Sequence, residues 1–180
     1  VSEAGGLGSL GLGTSSPEAA AAEIQRFKQM SARPLNTNFF CHEEPGDVTG
    51  TGKTMQARLQ KYFDESDKGA VPDPTVGYTS FTAEHADVLS QEKPPVVSFH
   101  FGLPSAELFA QVRATGAFIL CSATTVAEAR FLEEAGVDAI IAQGNEAGGH
   151  RGTFLGGSSE TQPGLFALLP QVCAAVRSEE

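Results

Sequence analysis

Tryptophan is absent, and tyrosine and methionine occur twice each and cysteine three times among 180 residues. The cysteines (Cys41, Cys121, Cys173) are odd in number and far apart, which argues against a disulfide framework and for a reducing, cytoplasmic setting. None belongs to a C-x-x-C pair, and His42, His85, His100 and His150 share no close spacing, so no metal site is expected. Basic residues are scarce: 12 Lys+Arg against 22 Asp+Glu leave a formal charge of -10, the wrong sign for a nucleic-acid face. No apolar run approaches the roughly 18 residues of a membrane span, and no basic segment followed by an apolar one marks a secretory leader. Neither a membrane nor a nucleic acid is expected as partner. No serine sits in a G-x-S-x-G elbow, and Cys121 ends an apolar run where an inert buried thiol is expected.

What is present is a globular composition, 41% hydrophobic and 19% charged, in which short apolar runs alternate with helical patterns. The runs are Leu7 to Leu12, Pro34 to Phe40, Val96 to Phe101, Ala117 to Cys121 and Asp138 to Ala142. Between them, Ser16-Pro17 is an N-cap followed by a helix-opening proline, and Ile24, Phe27 and Met30 give that helix one apolar face. Residues 80–92 form a further helical stretch that Pro94-Pro95 stops. A helix is expected from about Ser105 to Thr115, with Gly116 as its left-handed cap. Thr125-Val126-Ala127-Glu128 reads as a capping box opening a helix that Gly136 closes. The last helical pattern runs through Leu165, Leu168, Leu169, Val172 and Val176, and Pro170 should kink or interrupt it. Residues 41–74 are polar and proline-containing and read as an insertion carrying one short helix near Thr54–Phe63. The expectation is a single α/β domain with a parallel sheet covered by helices. A doubly wound sheet and a β/α barrel both fit this periodicity.

Two glycine patterns invite a phosphate reading and fail it. Gly6-Leu7-Gly8-Ser9-Leu10-Gly11 matches G-x-G-x-x-G, but it looks like the strand itself and no helix opens within it. Gly46 to Thr54 resembles a P-loop, but Asp47 stands where the spacing needs glycine and would repel phosphate, so a solvated loop is the better reading.

Polar residues gather where the strands end. Asn36 and Asn38 lie in PLNTNFF, Ser98 and His100 in VVSFHF, Ser122 follows FILC, and Gln143 follows DAIIA. In parallel α/β folds ligands bind beyond that end of the sheet, and an unpaired buried polar group costs roughly 1–3 kcal/mol. Several strands sharing this feature point to one polar ligand, with Ser122 among its contacts. The loop Gln143-Gly144-Asn145-Glu146-Ala147-Gly148-Gly149-His150-Arg151-Gly152 is the sharpest feature. Gly148-Gly149 permits close backbone approach to a ligand, and His150 can serve as an acid or base near neutral pH. Taken singly, His150 is as readily a hydrogen-bonded loop histidine, Arg151 a solvated cation and His100 a satisfied core histidine.

The loop AQGNEAGGHRG closely resembles the signature of nitronate monooxygenases. AGGLGSLG, PLNTNFF, VVSFHFG, ILCSATTVAEARFLEEAGVDAIIAQG and LLPQV extend the resemblance over nearly the whole chain in the same order. It implies a partial (β/α)8 TIM barrel of about five parallel strands, FMN as cofactor, and oxidation of alkyl nitronates with O2 to carbonyl compounds and nitrite. By position, Asn38, Gln143 and Gly148 (with Gly149 beside it) resemble flavin contacts, His150 the catalytic base and His100 a second active-site histidine. Flavin-dependent enoyl-acyl-carrier-protein reductases and quinone reductases have similar loops, so an NAD(P)H reductase is the alternative, as is a non-catalytic remnant. The family places a strand before Val1 and further strands after LLPQV. The expectation is therefore the middle of a longer enzyme, binding FMN weakly by itself, with a homo-oligomer left open.

Overall fold

The computed structural model describes residues 1–43, 49–73, 80–156 and 162–176. Pro45, Gly46 to Val48, Pro74 and Gly157 of the segments read above lie outside the described residues. After a single 3-10 turn at Ser2–Ala4, the elements run β1 (Gly8–Gly11), α1 (Pro17–Met30), β2 (Leu35–Phe40), α2 (Thr49–Glu65), α3 (Ala83–Glu92), β3 (Val96–His100), α4 (Ala106–Ala114), β4 (Phe118–Ala123), α5 (Val126–Ala135), β5 (Ala139–Ala142) and α6 (Leu165–Ala175).

The sheet order is β1-β2-β3-β4-β5 and every neighbouring pair is parallel. This order separates the two architectures that periodicity leaves open. A doubly wound sheet reverses its strand order at a switch point. Here the order never reverses, so right-handed crossovers put the connecting helices α1, α3, α4 and α5 on the same side. That is the winding of a β/α barrel.

Strand alternation then assigns the two faces. Leu35, Phe39, Val97, Phe99, Ile119 and Cys121 point to the helices and meet Ile24, Leu89, Val112, Leu132 and Leu168, all buried. Each such side chain contributes roughly 1.5–3 kcal/mol by leaving water. Burial pushes the Cys121 thiol up to about 12, so it is a packed, inert group as expected. The alternate residues, from Ser9 through Asn36, Asn38, Ser98, His100, Leu120, Ser122 and Ile141, form the opposite, inner face.

Local chemistry explains most boundaries. Ser16, Ser105 and Thr125 cap α1, α4 and α5 through side-chain oxygens that accept from the third following backbone N–H. Gly136 closes α5 with φ 84, and Gly116 follows α4 with φ 83. Thr125→Ala should cost about 1 kcal/mol, the usual value of such a cap, measurable as a lower urea midpoint at unchanged slope.

Two expectations are corrected. Helix α2 spans Thr49–Glu65 and is longer than the Thr54–Phe63 expected. It includes the Gly50 to Thr54 stretch read as a solvated loop, because no proline interrupts the run from Thr49 to Glu65. Its Met55 and Tyr62 are exposed. Helix α6 runs through Pro170, so the interruption, one of the two outcomes expected there, does not occur. The carbonyl that loses its bond to the proline is that of Phe166, a residue 97% exposed, so water can meet it.

Candidate functional site

The inner face carries an oriented chain of hydrogen bonds. Asn36 Nδ2 donates to Ser9 Oγ at 3.2 Å and to Ser98 Oγ at 2.9 Å, and Ser98 Oγ donates to Asn38 Oδ1 at 2.9 Å. Because Asn38 Oδ1 is the acceptor, the Ser98 bond leaves the Asn38 amide nitrogen as a donor. Asn36 Oδ1 is buried without a partner among the described residues. Asparagines in this segment therefore fix one another's orientation instead of merely tolerating burial.

At the next level toward the strand ends lies His100, paired in register with Phe40. Its Nε2 is 3.0 Å from the carbonyl oxygen of His150, and Gln143 Nε2 donates to the same oxygen at 3.0 Å. Gln143 Oε1 in turn accepts from Gly152 N–H at 2.7 Å. The His150 backbone is thus held from β3 and from the end of β5 at once, while its imidazole is exposed. The ring stands 5.9 Å from Phe40 and 6.1 Å from Phe101, centroid to centroid. Phe101 adopts a left-handed φ of 68, rare for a bulky residue, and its ring packs 4.5 Å from His100 and 5.2 Å from Phe40. Its contacts, not its backbone preference, hold it there.

His100 is half-buried, and burial lowers its pKa below the ordinary 6.5, outweighing the bond to His150. The folded state therefore favours the neutral ring and binds fewer protons than the unfolded chain. Stability from this group is present above the ordinary value and is lost as pH falls through it toward the lower folded value. Melting temperature should accordingly drop as pH falls through and below the ordinary histidine value of 6.5, and His100→Gln should flatten that slope. An equal slope in the variant would assign the effect elsewhere.

Ser122 is buried at the end of β4 and, with Ile141, Gln143, Gly144, Glu146, Leu165 and Phe166, lines a pocket of about 580 Å³. Gly148 and Gly149 lie in the exposed part of the loop, Gly149 with φ 78, and a Cβ on either would meet nothing within 4 Å. The structure thus brings Asn38, His100, Ser122, Gln143 and His150 to one end of the inner face, with the glycine pair beside them.

Several residues that matter here were not legible as site residues. Glu146 closes the start of the loop: both its carboxylate oxygens accept from Leu165 N–H at 2.9 Å, capping α6 where Gly164 has no side chain to do so. Gly152 must be glycine because His100 occupies the space of a Cβ. His85, by contrast, is a satisfied core histidine, bonded through Nδ1 to Thr82 and through Nε2 to the Ser15 carbonyl. No cluster of metal ligands occurs among the described residues, and no described helix is long and apolar enough to cross a membrane.

Parallel strands in chain order, with crossover helices between them and polar, histidine-bearing residues at the strand ends, define a protein of the β/α-barrel class. The family model described as nitronate monooxygenase matches residues 1–177, and the chain belongs to that family. A nitronate monooxygenase of Paraburkholderia phytofirmans is 42% identical over 172 residues, which make up 93% of this chain and 46% of the relative. One from Pseudomonas aeruginosa is 36% identical over 178 residues, 97% of this chain and 50% of the relative. Among solved structures, a nitroalkane oxidase from Streptomyces ansochromogenes superposes with a TM-score of 0.86 at 38% identity, covering 98% of this chain and 50% of that one. FabK from Thermotoga maritima, at 24% identity and a TM-score of 0.63, shares the fold. The chain spans about half the length of the curated relatives it matches.

Proposed function

We propose that the intact protein oxidises alkyl nitronates, and the nitroalkanes from which they form, with O2 to carbonyl compounds and nitrite, using FMN. The observation that carries this reading is the joint suspension of the His150 backbone by His100 and Gln143, which leaves an exposed imidazole above a polar sheet face. Family membership and the nitroalkane oxidase neighbour support it.

The inner face suits a flavin ring. Asn38 offers an amide donor whose orientation Ser98 dictates, matching the carbonyl and ring-nitrogen acceptors along a flavin's polar edge. The pocket beside Ser122 and Gln143 pairs apolar walls from Ile141, Leu165 and Phe166 with polar groups. Gly148 and Gly149 leave the loop backbone open to close approach. Bound flavin would accept electrons from the substrate and pass them to O2. The chain's own residues do the rest. His150 takes the α-proton of a neutral nitroalkane on its imidazole. His100 is the second active-site histidine and, kept neutral by burial, holds the His150 backbone. Gln143 lines the site and fixes the loop with the same amide. The single 1–180 domain and the role of residues 41–74 as an insertion belong to this proposal as well.

The test is a visible spectrum of the intact protein followed by anaerobic titration. FMN released on denaturation, and bleaching by a nitronate but not by NADH, is the expected result. Bleaching by NADH alone, or a colourless protein that takes up no FMN, would overturn the proposal.

A further inference from the structure

We propose that Glu128, remote from the reacting atoms, is the positioning residue that sets the His150 loop, an inference that rests on the base role proposed for His150. Glu128 is the third residue of α5 and is completely buried. A capping box would turn its carboxylate back onto the N–H of Thr125. The carboxylate goes elsewhere. Oε2 accepts from Thr124 N–H and from Thr124 Oγ1, both at 2.7 Å. Oε1 reaches across to the loop and accepts from Phe154 N–H at 2.8 Å and Leu155 N–H at 3.2 Å.

The proton inventory makes the clamp directional. Thr124 has one hydroxyl proton, and it serves Glu128, so the 3.0 Å contact between Thr124 Oγ1 and Thr153 Oγ1 must use the Thr153 proton. Arg151 Nη2 donates to the Thr124 carbonyl at 3.3 Å. Residues 151, 153, 154 and 155 are therefore all tied to the β4–α5 junction, and Gly152 to Gln143. His150 is the first residue upstream of this anchored stretch. A buried carboxylate persists only when its lone pairs are met. Here two of the four donors are backbone groups of the loop that presents His150, so burial of the charge and placement of the base are one arrangement.

Glu128→Gln in the intact protein tests this. The new amide turns an N–H2 group toward N–H donors, so one half of the clamp must open. Turnover of a neutral nitroalkane should fall about tenfold or more, as expected when a base is displaced by a fraction of an ångström. Turnover of the pre-formed nitronate of the same compound, which needs no proton abstraction, should stay within about twofold. Amide exchange at Phe154 and Leu155 should speed up at least about tenfold, with β3 and β4 unchanged. Equal losses on both substrates would mark Glu128 as a general folding residue and overturn the proposal, as would unchanged nitroalkane turnover. His150→Ala separates the two readings. If that variant loses neither substrate, the base role fails alone, and the clamp then stands or falls on the exchange at Phe154 and Leu155. Should Glu128→Gln not fold, Thr124→Ala removes the hydroxyl that donates to Glu128 and accepts from Thr153, keeps the carboxylate and its bonds to Phe154 and Leu155, and should show the same substrate split at a smaller size.

Discussion

His150→Ala in the intact protein should reduce turnover of neutral nitroalkanes by about 10²–10⁴-fold, the usual worth of a positioned general base. Turnover of pre-formed nitronates should be much less affected, because the proton is already gone. The fold should survive. The imidazole is exposed, and it is the His150 carbonyl, not the ring, that bonds to His100 and Gln143, so alanine keeps both anchors. Steady-state rates on the two forms of one substrate, with a melting curve as control, make the measurement. Undiminished nitroalkane turnover would remove His150 from the role.

Gly152→Ala attacks the same arrangement from behind. The added Cβ would fall 2.5 Å from His100 Cε1 and 2.7 Å from Nδ1. His100 has little room to yield, with Phe101 4.5 Å away on one side and Phe40 5.9 Å away on another. Overpacking of this kind costs about 1–3 kcal/mol, or several degrees of melting temperature at this size. Relief requires the imidazole to leave the His150 carbonyl, so nitroalkane turnover should fall with stability. Gly148→Ala is the matched control: its Cβ meets nothing within 4 Å, and stability should stay within about 0.5 kcal/mol. A Gly152→Ala protein as stable and active as its parent would show that His100 does not depend on that space.

How much of this is legible in the sequence depends on whether neighbours in sequence are neighbours in action. All five strands were legible, because near-continuous apolar runs between capped helices have one reasonable outcome. Thr125, Gly116 and Gly136 act within a few residues of themselves and behave as local chemistry predicts. The choice between barrel and doubly wound sheet needed strand order, which periodicity does not carry. Asn38, His100, Ser122 and Gln143 were legible as polar residues at strand ends, but their couplings were not. That Ser98 orients Asn38, and that Gln143 spends its amide on the His150 loop, are facts of tertiary contact. Glu128 is the clearest case. Thr125 and Glu128 have the spacing of a capping box, and Thr125 does cap the helix, yet the carboxylate serves residues 154 and 155. The pattern announced the residue and hid its partner.

The order of the sheet carries one last consequence, for behaviour in solution. Among the described residues, strands β1 and β5 each have a neighbour on one side only, so each offers a row of backbone donors and acceptors to whatever strand arrives. Beside β5 the apolar side chains Ile141, Leu165, Phe166 and Leu169 are all exposed. An uncovered edge flanked by grease is a template for sticking. Residues 1–180 handled alone should therefore be prone to self-association, and concentration-dependent sedimentation or light scattering would register it before any loss of helix signal.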